Sequence, residues 1–516
     1  MNFRDNRPPS TPGLGDAKLP GLINDLARCL GQTQADLTYD TLHLPHRERL
    51  ALAAALVEFG EDLHHDLGLW SSLEQYNRDL FGTPLPLTLP PAEVTASAPS
   101  LEDRVCHLLW NLYLEIYPEF ILSPSHQDLR HLAAVAADFL AEQFARRHSQ
   151  SGLKSFLAGP NKYGWQVKRK LIWLGRHSYL FRYHFRNYVE EQGGQANIGT
   201  IDDFICQATT TWSGLGVIDI LAGLLPLEES QRQTLRQWHE RHLAYYLILE
   251  SGRAGLTLKN LVTAELYPVR MDGNAGQFSA GQTVFGSLLP WNGEWYWSGE
   301  QRLIGVITEA QQQEFTEALR HKAAALIYRY DKQALAEAQA TIERLEQTFL
   351  HYHGDDLVIY PDGVSMAGDQ QRMYRLHNES LPETEQARVK ESFDLSTMQP
   401  AMPYPAEIID NENGIGLFFK PGEGTEMMVH FNDVISGFQK RGVDLGQDES
   451  DAIEAFIKSE AISPHFVRRV IRDYGSEAIA ATFLIRDPAA DHCLDYLLRR
   501  YKGNFYRTRY PQVTLV

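Results

Sequence analysis

The hydrophobic period of the chain changes at about residue 246, from 3.6 to 2, and returns to a helical period near residue 308. Side chains three or four apart share a helix face, and side chains two apart share a strand face. A chain patterned this way must therefore set a sheet between helical parts. Ahead of the change, Leu22, Ile23, Leu26 and Leu30 fall on one helix face, with Gly31 where a left-handed stop belongs. Residues 46–60 predict a second helix, and Leu73, Tyr76 and Leu80 mark a third. Ser100 and Asp103 form a capping-box pair before Leu101, Val105, Leu108 and Leu112. Ser125 to Arg147 repeats the helical pattern. Thr200 with Asp203 is the expected cap of a further helix, and Pro226 precedes one expected to carry Leu235, Trp238, His242, Leu243 and Tyr246.

Within the β-patterned part, residues 246–271 predict three short strands, and Asn292-Gly293 is a strong hairpin signal between two more. That number of strands in such a length makes a barrel of SH3-like or OB-like size. Beyond it, Thr308 and Gln311 open another helical stretch. Residues 355–363 predict a strand and a turn, and a hairpin is expected around 414–431. Helices are expected at 449–460, at 464–474 (Ser463 cap, Pro464 first turn, Gly475 stop) and at 488–501 (Asp487 cap, Pro488 first turn). The expected fold class is mainly α with an inserted small antiparallel β-barrel, an α+β multidomain chain. Its expected parts are a disordered tail (1–19), N-terminal helices with a Pro-rich linker (20–99), a helical domain (100–245), the β-module (246–307), a helical hairpin with a short strand (308–379), a linker (380–405) and a C-terminal α+β domain (406–516).

Charge is distributed unevenly. Lys+Arg total 48 and Asp+Glu 66, for a net charge of -18. Yet no acid occurs between Glu142 and Glu190, while that stretch holds Arg146, Arg147, Lys154, Lys162, Lys168, Arg169, Lys170, Arg176, Arg182 and Arg186. Trp165, Trp173, Tyr179, Phe181, Tyr183, Phe185 and Tyr188 are interleaved with them. Cations neutralise phosphates and rings stack on bases, so the mixture suits single-stranded nucleic acid. It equally suits an acidic protein partner. The bland alternative is a buried aromatic helix whose cations pair with the chain's own carboxylates. On a helix, Lys168, Arg169 and Lys170 cannot all point one way. A second cluster is Arg499, Arg500, Lys502, Arg507 and Arg509, with the alternative that its aromatic neighbours pack back on the domain. In the β-module, alternation puts Trp295 and Trp297 on one face and Tyr296 on the other. The two tryptophans are either the module's core or a partner-binding platform.

Catalytic and metal patterns are weak. His351 and His353 in HYHGDD resemble part of a metallo-hydrolase motif, but Asp356 stands where a histidine is needed. Glu61 and His64 share a helix face, for which a solvated face is the plain explanation. No phosphate loop, GxSxG or paired CxxC is present, so no metal and no cofactor is expected. Cys29, Cys106, Cys206 and Cys493 are far apart and suit reduced thiols. The chain has no run apolar enough to span a membrane, and its first residues lack the apolar core of a signal peptide, so no membrane association and a cytoplasmic location are expected.

The stretches WHERHLAYYLILESG (238–252), LTLKNLVTAELYPVRM (256–271) and GQTVFGSLLPWNGEWYWSG (281–299) resemble an uncharacterised group of bacterial helical proteins with a small inserted β-module. AISPHFVRRVIRDYG (461–475) and LLRRYKGNFY (497–506) are similar to its C-terminal part. Some members carry a SecA-type zinc tail. This chain has no paired cysteines, so the zinc site does not carry over. The resemblance covers less than half of the chain. It implies an intracellular bacterial protein and no activity.

The resulting expectation is a non-catalytic adaptor or regulatory interaction protein that binds a protein partner through a basic aromatic surface. Three alternatives stand beside it: a nucleic-acid-associated accessory protein, a defence or stress locus protein cleaved by a partner protease at 380–405, and a metal-dependent hydrolase around His351 and His353.

Overall fold

The structure is a computed structural model. It describes residues 3–8, 16–39, 42–85, 98–117, 124, 126–147, 151–271, 275–322, 332–392, 404–483 and 490–506. The chain divides into two compact units, Met1–Ala323 and Ala324–Val516. Its described residues are mainly helical, with one five-stranded and one three-stranded sheet. Among the described residues no helix is long and apolar enough to cross a membrane.

Among the described residues, the α-helices of the first unit ahead of its sheet are α1 (Leu19–Gln34), α2 (His46–His65), α3 (Leu69–Phe81), α4 (Leu101–Ile116), α5 (Gln127–Ala145), α6 (Gly152–Leu157), α7 (Gly164–His177), α8 (Arg182–Glu191), α9 (Ile198–Cys206), α10 (Val217–Leu224) and α11 (Glu229–Arg236). The Ser100–Asp103 capping box opens α4 as expected. Gly31 does not stop α1, which continues to Gln34. A Cβ there would sit 3.2 Å from the Arg49 guanidinium, so the glycine serves a close approach and not a left-handed turn. Asn197, not Thr200, caps α9, and its side chain accepts from the Thr200 N–H. Glu61 does not lie on a solvated face. It is buried, bound by Arg7 at 2.6 Å and by the Ser151 hydroxyl at 2.8 Å. Residues 3–8, placed by composition in a disordered tail, pack onto this acid-bearing side of α2, where Asn6 donates to Glu58 at 3.2 Å.

The helix expected after Pro226 is short. It gives way to a 3-10 turn over Gln237–Glu240, and His242 already begins a strand. Pairing of 242–247 with 283–288 captures these residues, so tertiary pairing overrides their helical spacing. The strands are β1 (His242–Gly252), β2 (Gly255–Asn260), β3 (Leu266–Arg270), β4 (Thr283–Trp291) and β5 (Glu294–Gly305). Their order is β1-β2-β3-β5-β4, and β4 pairs back to β1, so every strand has two neighbours. The sheet is mixed and not purely antiparallel, because β3 meets β5 in parallel at Val269 and Trp295. The β4–β5 hairpin turns at Asn292 (φ 48) and Gly293 (φ 78), both left-handed, as the dipeptide predicts. Tyr246, Ile248, Leu258, Tyr267, Val284 and Leu288 fill the interior, with Trp295 and Trp297 packed against them. Helix α12 (Glu309–Lys322), capped by Thr308 and Gln311, stacks Phe315 on Tyr245 at 4.5 Å.

The second unit contains α13 (Lys332–His353), β6 (Leu357–Tyr360), α14 (Gly363–Ser380), α15 (Glu383–Ser392), α16 (Ala406–Ile409), β7 (Ile415–Lys420), β8 (Gly424–Val429), α17 (Phe431–Gln439), α18 (Gln447–Lys458), α19 (Pro464–Tyr474), α20 (Glu477–Thr482) and α21 (Ala490–Tyr501). The sheet order is β6-β7-β8, all antiparallel. Ser463, Pro464 and Gly475 bound α19 as the sequence predicts. The stretch 380–405 is not all linker, because 383–392 are helical and Arg344 pairs with Glu385 at 2.9 Å. Residues 393–403, most of the Pro-rich strap (86–97) and the Asp487-Pro488 cap lie outside the described residues.

Just past α21, Lys502 is fully buried and donates to the carbonyls of Ser459 (2.8 Å) and Phe456 (3.2 Å). Burial, opposed by Glu426 and Glu460, lowers its ammonium pKa from 10.5 to about 7. Between those two values the unfolded chain holds a proton that the folded chain lacks. Stability therefore rises with pH across that window and falls as pH drops toward 7, by on the order of a few kcal/mol. Urea unfolding of the second unit's signal at pH 7 and pH 9.5 should show this rise, and Lys502→Met should flatten it. Equal slopes in the two proteins would refute the assignment.

Candidate functional site

The acid-free segment forms the end of α5, all of α6 and α7 and most of α8. Most of its rings are interior, while Arg146, Lys154, Lys162, Arg169 and Arg186 are exposed. Trp173, Tyr179, Phe181, Tyr183 and Phe185 are buried. The Trp173 indole donates to the Asn6 carbonyl at 3.0 Å, and the Tyr179 hydroxyl donates to Asp62 at 2.7 Å. Arg182 is buried in an ion pair with Glu58. Lys170 is buried, donating to Gly159 O and Asn161 Oδ1, each at 2.6 Å. These side chains face the molecule's own groups, so Lys170 and Arg182 do not form an outward docking surface, and Trp173, though buried, is the one of the three that also lines a groove shared with the sheet. Arg499 and Arg500 are likewise buried, Arg499 bound to Asp495 at 2.6 Å, and with Lys502 they lock the end of α21. Arg507 and Arg509 lie outside the described residues. Lys162 and Arg186 are exposed, lying over the Tyr163 ring (5.1 Å) and the Tyr183 ring (5.3 Å) respectively.

One stripe of α7 is different. Trp165, Arg169, Ile172 and Arg176 recur at helical spacing and, with Lys168, line a groove of about 570 Å³ shared with the five-stranded sheet. Gly164 lets the helix start lie on the sheet, since a Cβ there would meet the Tyr296 ring at 2.7 Å. The sheet contributes Arg270, Tyr296 and Trp297. Four cations line the groove (Lys168, Arg169, Arg176, Arg270), with six rings (Phe156, Trp165, Trp173, Trp238, Tyr296, Trp297) and no carboxylate. Trp297 thus serves both the sheet's interior and the groove, whereas Trp295 packs inward against His242 (4.6 Å) and Tyr267 (4.6 Å).

The groove cations are held to different degrees. Lys168 forms an ion pair with Asp202 and reaches Ser298 Oγ at 2.6 Å. Arg241 binds the other oxygen of Asp202 at 2.7 Å. Burial alone would raise the Asp202 pKa, but the two cations overcome it and hold the carboxyl below its usual range. Arg270 pairs with Glu294 at 2.6 Å, where Tyr296 also donates at 2.7 Å. Arg169 is exposed and Arg176 half-buried, and neither has a carboxylate partner among the described residues. Arg176 lies over the Phe185 ring at 5.7 Å, and its Nε, like the Trp297 indole N–H, is buried with no hydrogen-bond partner among the described residues. Burial and Arg176 together lower the pKa of His177 at the same end of α7. Arg270 and Asp202 carry no signal in spacing or composition. Only the strand register and the α9 packing bring them here.

The other sequence candidates come apart. HYHGDD straddles the end of α13. His353 meets Gln370 at 3.3 Å, while Asp355 and Asp356 turn to Arg469 at 2.9 and 2.5 Å. His351 is exposed, and among the described residues no three metal-ligating side chains gather.

The Asp202 cluster fixes the groove's geometry. Asp202→Ala leaves the buried Arg241 and the half-buried Lys168 without their shared carboxylate, and should cost about 3–5 kcal/mol in chemical unfolding of the first unit. A loss under about 1 kcal/mol would show that the cluster is incidental.

Residues 16–195 are similar to a family described as a protein of unknown function (DUF3843). That span carries the α7 wall of the groove and ends before the sheet wall, and it lies apart from the stretches that carry the bacterial resemblance. No curated protein and no solved structure matches the chain.

Proposed function

We propose that the protein works by binding rather than by turnover, as a cytoplasmic bacterial adaptor or regulator whose first unit captures an anionic group of its partner in the α7–sheet groove. One observation carries this reading. In a chain of net charge -18, a groove of about 570 Å³ is lined by four cations and six rings without one carboxylate. Low-dielectric walls lined by one sign of charge concentrate that field and draw in the opposite charge. The volume lies in the range of specific ligand sites. The sheet, taken as a small closed barrel, supplies a rigid wall, and Arg169 and Arg176 supply charge not spent on carboxylates. The lining holds no thiol and no aliphatic hydroxyl, so it favours recognition over covalent chemistry.

Tryptophan fluorescence of the full chain, titrated with pyrophosphate, hexaglutamate, adenosine monophosphate and a dT octamer, tests this. At least one of them should bind at low ionic strength, with an affinity that falls as salt rises. Arg169→Glu/Arg176→Glu should abolish that binding while leaving the circular dichroism unchanged. Absence of binding by every probe at low salt would end the reading.

A further inference from the structure

We infer that the anionic group taken by this groove is a nucleotide unit, a flat heteroaromatic base carrying a phosphate, whether free or at an unpaired position of a strand. The inference rests on the anion-binding reading above and specifies its ligand.

Three features of the groove select among anions. The first is the match of charge to shape. Arg176 offers a planar guanidinium whose Nε has no partner among the described residues, and Arg169 adds a second two helical turns away on the same face. Such forks bind phosphate oxygens in pairs. The second is the wall. Trp165, stacked on one side by Tyr163 at 4.7 Å, and Trp297, stacked on one side by Phe278 at 6.4 Å, are both half-buried and line the groove, and base-on-ring stacking tolerates any base. A small inorganic anion would leave those rings unused. Gln277 and Gln301 add neutral amides suited to base edges, Gln301 held by donating to the Gly299 carbonyl at 2.8 Å.

The third feature disfavours an acidic peptide. Each strand of the sheet has a neighbour on both sides, although β3 and β5 meet at one residue pair, Val269 and Trp295, so little strand edge is left for an extended chain to join. Beyond its first turn, the backbone N–H groups of α7 are used within the helix. A peptide entering a ring-lined groove would carry backbone groups with no ladder to meet them, at a cost for each. A nucleotide carries none.

The test uses the full chain with five probes: adenosine monophosphate, adenosine, pyrophosphate, a dT octamer and hexaglutamate. Adenosine monophosphate should bind more tightly than adenosine or pyrophosphate alone. Arg176→Ala should weaken it about tenfold, as expected for loss of one charged hydrogen-bonding group, while leaving adenosine unchanged. Arg169→Ala, at an exposed position, supplies a variant whose folding is not in question and should act in the same direction. An octamer that binds no better than the mononucleotide identifies free nucleotide as the source. A much tighter octamer with a steeper salt dependence identifies a strand. If pyrophosphate or hexaglutamate binds in a manner sensitive to these arginines and adenosine monophosphate does not, the nucleotide inference is overturned and the anion-binding function stands. If no probe binds, both fall.

Discussion

Asp202 is the point on which the first unit turns. It sits on α9 and is reached by Lys168 from α7, Arg241 from the start of the sheet and Ser298 from β5. Three elements distant in sequence are thereby fixed to one carboxylate. The neighbouring Gly299 has a φ of 70, and a Cβ there would lie 2.8 Å from Asp202, so the strand approaches as closely as a backbone without a side chain allows. Two cations share this carboxylate, and Asp203 takes only the far side of Arg241. Buried ion clusters of this kind contribute little net energy but make any alternative arrangement costly. Here the arrangement they enforce is the spacing of α7 from the sheet, which is the width of the groove.

A second polar seam runs through the helical part. Glu58, Glu61 and Asp62 lie on consecutive turns of α2, all buried. Arg182 and Asn6 satisfy Glu58. Arg7 and Ser151 satisfy Glu61. Tyr179 and the N–H groups of Leu69 and Trp70 satisfy Asp62. Burial still raises the Asp62 carboxyl to about 6, against hydrogen bonds from Tyr179, Trp70 and Leu69 and with no cation set against it among the described residues. The acid-poor stretch of the sequence and the acid-rich face of α2 are therefore two halves of one interior. Their segregation along the chain reflects pairing across it.

That seam explains what the sequence could and could not reveal. The period change, the Asn292-Gly293 hairpin, the Ser100 box and the Ser463–Gly475 helix are local signals, decided by a few neighbouring residues, and each has its structural counterpart. The charged segment is legible as unusual, but exposure is not a local property. Lys168 finds Asp202 across 34 residues, and Arg182 finds Glu58 across 124. Nothing in spacing announces either partner. The β3–β5 parallel pairing escaped for the same reason, since register between non-consecutive strands is set by closure of the whole sheet. Of the sequence candidates, the groove retains Trp165, Lys168, Arg169, Trp173, Arg176 and Trp297. It adds Arg270 and Tyr296, which only the fold brings there.

Internal neutralisation does not discharge the groove; it sorts its cations. Lys168 and Arg270 are directed by Asp202 and Glu294, so they shape the wall and contribute a reduced field. Arg169 and Arg176 have no such partners among the described residues and keep theirs. At about 4 Å and an effective dielectric of 20, an anion beside one guanidinium gains about 4 kcal/mol before its own desolvation is counted. A ligand must recover that desolvation through other contacts, and the rings provide them. Charge alone therefore does not suffice at this site, and neither does an apolar ring. On the proposed reading the groove's ligand joins the two, and selectivity would come from requiring both at a spacing that the Asp202 cluster holds constant.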